Sequence, residues 1–537
     1  MATFPAQVDP WSGVLWAEQL HWFSPMIALV VTMLAVVACP LVAGRKTATI
    51  TKIVVLGITV AFVLALRVAE QVAGKGVSGL APQAQGGMLI ADNLSLGFQI
   101  VLLIFLAAVC WLWWMGSAQR EQNTPEFMIL LLGSALGMAL MASTTNLLMI
   151  IVAIETASLP SYAIVGFDKR DRVGAEASLK YMIFGAVCAA IMLYGASLLY
   201  GLVGSLNAAD VAKYTWEHLN THENRLVLAL GLLCFLAGVA FKISAVPFHF
   251  WCPDAFEGAK IEVTTWLSVV SKAAGLVLLT RLVLVFCAAV TDERAMSVVS
   301  PLAWVIGIMA ALTCTVGNFS AYQQTSVKRL LAYSSIAHAG YMMMAAAVFL
   351  HAKSGEQYVG LAALLFYIVV YLFMNLGAFG VTALVIWETG SDRIDAFTGL
   401  MRRAPWLAVP MIVCLISLIG LPPLAGFLGK WWVLVALGRL GSTLGWFLVL
   451  VAVVNTLISV YYYVRLIVEM VYKDDGRPAL KNPAGGLVLV NGCAAALLVL
   501  FVLANPLKTT VDRFARNLFQ PSAASASVVA QIDTDNR

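Results

Sequence analysis

Apolar runs of about 20 residues, the length a helix needs to cross a bilayer, recur along almost the whole chain. Fourteen can be placed, near 24–43, 51–72, 98–116, 125–143, 145–166, 175–204, 226–246, 261–288, 296–318, 329–349, 357–387, 405–438, 443–470 and 485–505. In lipid every backbone N–H and C=O must be satisfied within the protein, which leaves helices or a closed barrel. A barrel would alternate in short segments of about ten residues. The runs here are continuous, so the chain is predicted to be an all-α polytopic membrane protein with about fourteen transmembrane helices. A charged fraction of only 11% and a mean hydropathy of +0.89 agree.

Two of the runs are interrupted. The segment 405–438 holds Pro405, Pro410, Pro422 and Pro423 and reads as two half-helices around a break, and Pro247 follows the run 226–246. Proline removes a helical hydrogen bond and kinks or breaks the helix. Two broken helices in different halves of a membrane chain point to inverted repeats and a midplane pathway.

Basic residues fix the expected orientation. The odd-numbered connections carry sixteen Lys and Arg and the even-numbered ones six. The positive-inside rule then places the odd connections in the cytoplasm and both termini on the other side, although Lys508, Arg513 and Arg516 in the tail run against it. The basic balance of +5 follows from these loops and does not suggest nucleic acid. Trp11, Trp16 and Trp22 suit an interfacial lead-in. The nine cysteines show no CxxC spacing and read as small apolar packing residues. No phosphate-binding glycine motif or paired-histidine metal motif is present, so no cofactor or metal is predicted in this chain.

Against this background a few charges stand out, because each costs a few kcal/mol or more at membrane depth. Glu155 interrupts LLMIIVAIETASLP, and Lys242 precedes Pro247 by five residues. Lys272 lies eleven residues from one end of its run and sixteen from the other, and Lys430 follows Pro422 and Pro423. Each has a plain reading: a static ion pair for Glu155, snorkelling to an interface for Lys242. Lys272 is too central to snorkel. The sharper reading makes all four members of a proton pathway. His338, in AYSSIAHAGYMMM, reads either as a packed core histidine or as a proton bridge between lysines. Lys180 reads as a modulator of Glu155 or an interfacial anchor. Arg67, Arg281, Arg465 and Glu469 lie toward run ends, as anchors or ion-pair partners. A passive scaffold would not need Lys272 at mid-span, and sodium transport would favour more carboxylates.

Five strings carry a resemblance: ETASLPSYAIVGFDKRD, EASLKYMIFGAVCAAIMLYGASLLYG, FKISAVPFHFWCPDAFEGA, TSVKRLLAYSSIAHAGYMMM and GLPPLAGFLGKWW. Together they resemble subunit N of NADH-quinone oxidoreductase, the respiratory complex I, over about residues 90 to 470. Lysine at position 430 is unlike the glutamate of subunit M, and the polar tail is too short for the lateral helix of subunit L. PDAFEGA departs from the usual motif at Phe256, where tyrosine is common. The resemblance implies an antiporter-like fold with inverted repeats. Residues 1–120 would hold helices 1–3, 121–290 the first five-helix repeat, 291–472 the second, and 473–537 the last helix and tail. It also implies that Glu155, Lys242, Lys272 and Lys430 are the family's proton-path residues.

The expectation is therefore a proton-translocating subunit of a complex I-like enzyme in the bacterial inner membrane, without redox chemistry of its own. FMN, iron–sulfur clusters and quinone would belong to partner subunits. The expected neighbours are the antiporter-like subunit M and the small membrane subunits K, J and A. The alternative is an Mrp-type cation/proton antiporter subunit, which shares the fold and some of the lysines.

Overall fold

The computed structural model describes residues 20–42, 44–74, 88–116, 123–218, 224–288, 296–351, 358–473, 476–480 and 484–519. Trp11 and Trp16 lie outside the described residues, as do Lys75, Arg120, Arg294, Lys353 and Lys481 of the orientation argument.

The apolar runs form helices that follow the expected order: α1 Ser24–Val42, α2 Thr47–Gly74, α3 Asn93–Met115, α4 Thr124–Ala142, α5 Leu147–Val165 and α6 Arg172–Val203. The seventh is broken into α7a Arg225–Ile243 and α7b Trp251–Gly258. The eighth, α8, comprises Ile261–Trp266, a wide π-turn at Leu267–Ser271, and Lys272–Ala288. Next come α9 Met296–Ala321, α10 Val327–His351 and α11 Tyr358–Thr389. The twelfth is broken into α12a Pro405–Ile419 and α12b Ala425–Arg439; α13 Thr443–Val471 and α14 Ala484–Val502 follow. Thirteen of the described helices are long and apolar enough to cross a membrane, and α12a is a shorter apolar helix. Both breaks fall where the prolines placed them.

The inverted repeat is visible in the backbone. Before α5, Asn146 bridges to Asn207 beyond α6, with Leu147 N–H donating to Leu206 O at 2.8 Å and Ala208 N–H to Thr145 O at 3.0 Å. Before α10, Ser326 bridges to Arg393 beyond α11 in the same pattern, Val327 N–H to Asp392 O at 2.7 Å and Ile394 N–H to Thr325 O at 2.9 Å. The first bridge joins even-numbered connections and the second odd-numbered ones, so the same feature sits on opposite faces.

Helix packing repeats as well. A Cβ on Gly137 of α4 would stand 2.2 Å from the Ala157 nitrogen of α5, and one on Gly317 of α9 would stand 2.6 Å from the Ala337 nitrogen of α10. Only glycine allows either close crossing, the usual device where lipid supplies no hydrophobic drive between helices. The glycine, its alanine partner and the bridge residue all recur 180 positions later.

A buried ion pair closes the even-connection face. Asp92 caps α3, accepting from Ser95 N–H at 2.9 Å, and takes both guanidinium arms of Arg281, at 2.9 and 2.7 Å. Arg281 Nε also donates to Ala142 O at the end of α4, at 2.7 Å. Arg281 is thus an ion-pair partner, as its position toward a run end suggested. Glu469 likewise pairs with Lys473 at 2.8 Å.

One element differs from expectation. The tail read as polar chain, yet Ala504–Phe519 forms a helix, α15. Phe514 packs over Gly97 of α3, and Arg516 donates to Tyr358 Oη at 2.8 Å. Its charged and apolar residues separate onto two faces, a pattern suited to lying along the bundle rather than crossing it.

Candidate functional site

The charged residues picked out above lie where the two broken helices meet their neighbours. Lys242 is fully buried in the last turn of α7a, which excludes snorkelling. Its Nζ donates to Ser158 Oγ on α5 at 3.2 Å. Ser158 is one turn beyond the half-buried Glu155, so carboxylate and ammonium lie within electrostatic reach of each other.

The chain then leaves the helix. Ser244 adopts a left-handed conformation, φ 64°. The loose backbone groups find side chains, as burial in an apolar bundle requires. Val246 N–H donates to Thr313 Oγ1 of α9 at 2.9 Å, and Phe241 O accepts from Trp251 Nε1 at 3.1 Å.

The short helix α7b builds the surroundings of Lys272. This lysine is fully buried, its Nζ 3.2 Å from Cys252 Sγ and 4.7 Å from the centre of the Phe256 ring. Unlike the small packing residue its spacing suggested, Cys252 is the hydrogen-bond partner of the buried lysine. A thiol is a weak acceptor, and a cation over an aromatic face gains only modest stabilisation. Among the described residues no carboxylate is in contact with the amine. One turn on, Gly275 lets the backbone of α7a approach: a Cβ there would meet Ile243 Cγ1 at 2.8 Å and the Lys242 carbonyl carbon at 3.3 Å. Lys242 and Lys272 therefore occupy adjoining stretches of packed helices.

His338 of α10 is 1% exposed and has a partner on each ring nitrogen. Nδ1 is 2.8 Å from Tyr367 Oη of α11, and Nε2 is 3.3 Å from Tyr463 Oη of α13, which also bonds Ser334. A neutral imidazole has one donor and one acceptor nitrogen, so this chain of phenols and imidazole is polarised in one direction and can reverse. Tyr371 stacks obliquely on His338, ring centres 5.4 Å apart, and its Oη donates to Ser268 O at 3.4 Å. Ser268 lies one turn before Lys272, in the π-turn of α8, where the widened helix leaves backbone groups for outside partners.

At the second break α12a ends in Gly420, φ 86°. Lys430 of α12b reaches back so that its Nζ donates to Ile419 O at 2.9 Å, above the Tyr341 ring at 4.6 Å. Gly426 N–H donates to Ser417 Oγ at 3.1 Å, and a Cβ on Gly426 would fall 1.9 Å from Ser417 O. Tyr367, the partner of His338, packs against Gly429 beside Lys430. His338 and Lys430 lie within electrostatic reach.

The order in space is thus Glu155, Lys242, Lys272, His338, Lys430. Lys180 stands apart: it is partly exposed and pairs with Glu176 at 2.7 Å and with Asp254 of α7b at 3.1 Å. Asp254 also pairs with Arg329 of α10 at 3.0 Å. Sequence reasoning missed Ser158, Cys252, Tyr367, Tyr371 and Tyr463. The available signal was hydroxyl and thiol groups recurring near breaks in otherwise apolar helices.

Residues 144–459 match the pattern of the NADH:quinone oxidoreductase/Mrp antiporter transmembrane family. NADH-quinone oxidoreductase subunit N 2 of Sorangium cellulosum is 41% identical, over 76% of this chain and 81% of its own length. Subunit N of an Anaeromyxobacter species is 36% identical, over 90% and 94%. A chain of respiratory complex I from Thermus thermophilus is 31% identical, with a TM-score of 0.70 over 90% of this chain and 98% of that one. A chain of the Mrp complex from a Dietzia species superposes at TM-score 0.78 over 94% of this chain and 98% of that one, at 19% identity, a likeness of fold alone.

Proposed function

Because the chain belongs to the NADH:quinone oxidoreductase/Mrp antiporter family, and within it to the subunit N group, we propose that it is a proton-translocating membrane subunit of a complex I-like enzyme. Protons pass along Glu155, Lys242, Lys272, His338 and Lys430, driven by quinone reduction in partner subunits. One observation carries this reading: three lysines and a histidine, all buried, lie on α7a, α8, α10 and α12b, which pack one against the next from the first helix break to the second. Buried charges without contacting carboxylates are costly, and that cost is useful to groups that must gain and lose protons.

Phenols lie along the way. Tyr371 reaches from the Ser268 carbonyl, one turn before Lys272, to the His338 ring, and Tyr367 from His338 Nδ1 to Gly429 beside Lys430. Lys180 acts on the path indirectly, by holding α7b through Asp254. Residues 121–290 and 291–472 form the two repeats, with 1–120 and 473–537 as flanking units. The odd connections face the cytoplasm and both termini the opposite side. FMN, iron–sulfur clusters and quinone reside in partner subunits, and the neighbours are the antiporter-like subunit M and the small subunits K, J and A.

The test is purification from the native membrane. Co-purification with flavin- and iron–sulfur-containing polypeptides, and quinone-dependent proton uptake by the purified assembly in vesicles, are expected. Isolation with only cation-antiporter subunits, and cation-driven proton exchange without a redox partner, would overturn the proposal in favour of the Mrp reading.

A further inference from the structure

The helix α15 carries Lys508, Arg513 and Arg516 against one acid, Asp512, and follows α14 on the even-connection face, whose loops are poor in basic residues. It packs against α11 and rests on α3 through Phe514 over Gly97. Two spaces open beside that contact. One, of about 420 Å³, is lined by Tyr358 of α11, Trp432 and Arg439 of α12b, and Lys508 and Asp512 of α15. The other, of about 630 Å³, is apolar, with Leu94 and Phe98 of α3, Val277 of α8, Leu365 and Ile368 of α11 and Phe514 among its walls. Val511 lines both.

The first space is positive, with two cations to one carboxylate. Lys508 Nζ stands 5.5 Å from the centre of the Trp432 ring, and Arg439 is exposed at the end of α12b. Among the described residues no carboxylate pairs with either. Arg516 is engaged elsewhere: it donates to Tyr358 Oη and lies 4.4 Å from that ring, which anchors α15. Trp432, Tyr358 and the exposed Trp446 of α13 are aromatic residues of the kind that sits at the headgroup level. The apolar space goes deeper. It reaches Ile368, ten residues into α11, or about 15 Å along the helix. A positive chamber at headgroup level beside an apolar one at acyl depth matches a molecule with an anion at one end and a hydrocarbon chain at the other. A soluble anion would fill only the first, and a neutral lipid would leave both cations unmatched.

We propose that α15 and the ends of α11 and α12b form a binding site for an anionic phospholipid. Its phosphate lies between Arg439 and Lys508, and one acyl chain runs beneath Val511 and Phe514 into the apolar space. Arg513, exposed on the same helix, adds to the positive field, and Asp512 is the one acid facing the phosphate. The lipid ties α15 to the helices that carry Tyr367 and Lys430 and takes no part in moving protons, so the site stands or falls independently of the proton path.

The test uses the native assembly in nanodiscs and a phosphatidylglycerol with a photoreactive diazirine on one acyl chain. Illumination is expected to label peptides of α11 and α15, and the matching phosphatidylcholine to label them about fivefold less. Arg439→Gln combined with Lys508→Gln is expected to weaken labelling by phosphatidylglycerol at least about tenfold, since each basic contact contributes about fivefold. R439K with K508R, which keeps both charges, is expected to retain the labelling. Val511→Trp, which fills the junction of the two spaces, is expected to lower it with the charges intact. Subunit content is measured for each variant, and where a variant does not assemble the comparison of the two lipids on the parent decides. Equal labelling of the parent by both lipids overturns the proposal, as does undiminished labelling of the double glutamine variant. Displacement of the label by inorganic phosphate assigns the positive space to a soluble anion and overturns it as well.

Discussion

Lys430 donates from Nζ to the carbonyl oxygen of Ile419, 2.9 Å away, so a side chain of α12b caps the last turn of α12a across the break. A charge-assisted bond to an otherwise orphaned carbonyl contributes about 1.5–3 kcal/mol. If the lysine must also release its proton, that cap is made and weakened in each cycle. Lys430→Met is expected to lower proton translocation roughly tenfold or more while the assembly still forms. Lys430→Arg is expected to restore the cap but not translocation, since guanidinium does not deprotonate. Vesicle proton-uptake assays on both variants check this.

The same break depends on glycine. Gly420 has φ 86°, and a Cβ there would lie 2.9 Å from Lys430 Cδ. Gly420→Ala is expected to cost about 1–2 kcal/mol for the left-handed backbone alone, visible as a lower thermal midpoint of the detergent-solubilised assembly. Gly426→Ala, which drives a methyl into the Ser417 carbonyl, is expected to be the more damaging of the two.

Much of this site was legible in the sequence. Glu155, Lys242, Lys272 and Lys430 were found because a charge in an apolar run is costly and therefore conspicuous, and the breaks because proline cannot continue a helix. Cys252, Tyr367 and Tyr463 were not. A thiol or phenol in an apolar helix carries no comparable cost, and its role depends on which helix face meets which. The amphipathic helix Ala504–Phe519 escaped because charge alone made its segment read as tail. Gly137 and Gly317, which reveal the repeat, are ordinary glycines until their partners are known.

Glu155 and Lys242 are coupled through space, with Ser158 between them. Lys242→Met and Glu155→Gln are each expected to impair translocation, and the double variant to be less impaired than the sum. The interaction energy is expected at the lower end of the usual range of about 0.5–3 kcal/mol, because Glu155 is only half-buried. A double-mutant cycle that returns no interaction would show that the two do not communicate.

The pair Asp92–Arg281 serves stability rather than transport. Burial pushes the Asp92 carboxyl up, but the Arg281 charge and the hydrogen bonds from Arg281 and Ser95 outweigh it, leaving the carboxyl below its ordinary 3.8. The sign follows: a lowered folded-state value stabilises above 3.8, and the contribution is lost as pH falls through the folded value. Asp92→Asn strands a buried guanidinium and is expected to cost about 3–5 kcal/mol at neutral pH. Thermal unfolding of the solubilised protein against pH checks both, with Asp92→Asn losing less stability through the acid range than the parent.

Whether Lys272 carries a proton is read from the ratio of protons moved to quinone reduced in vesicles holding the complete assembly with Lys272→Ala or Lys272→Arg. Lys272 is fully buried beside Cys252, so neither snorkelling nor surface screening can rescue a replacement. The expected result is an intact assembly in which both variants lose most of the ratio, the arginine because it keeps its charge throughout the cycle. A normal, uncoupler-sensitive ratio in both variants would contradict the account.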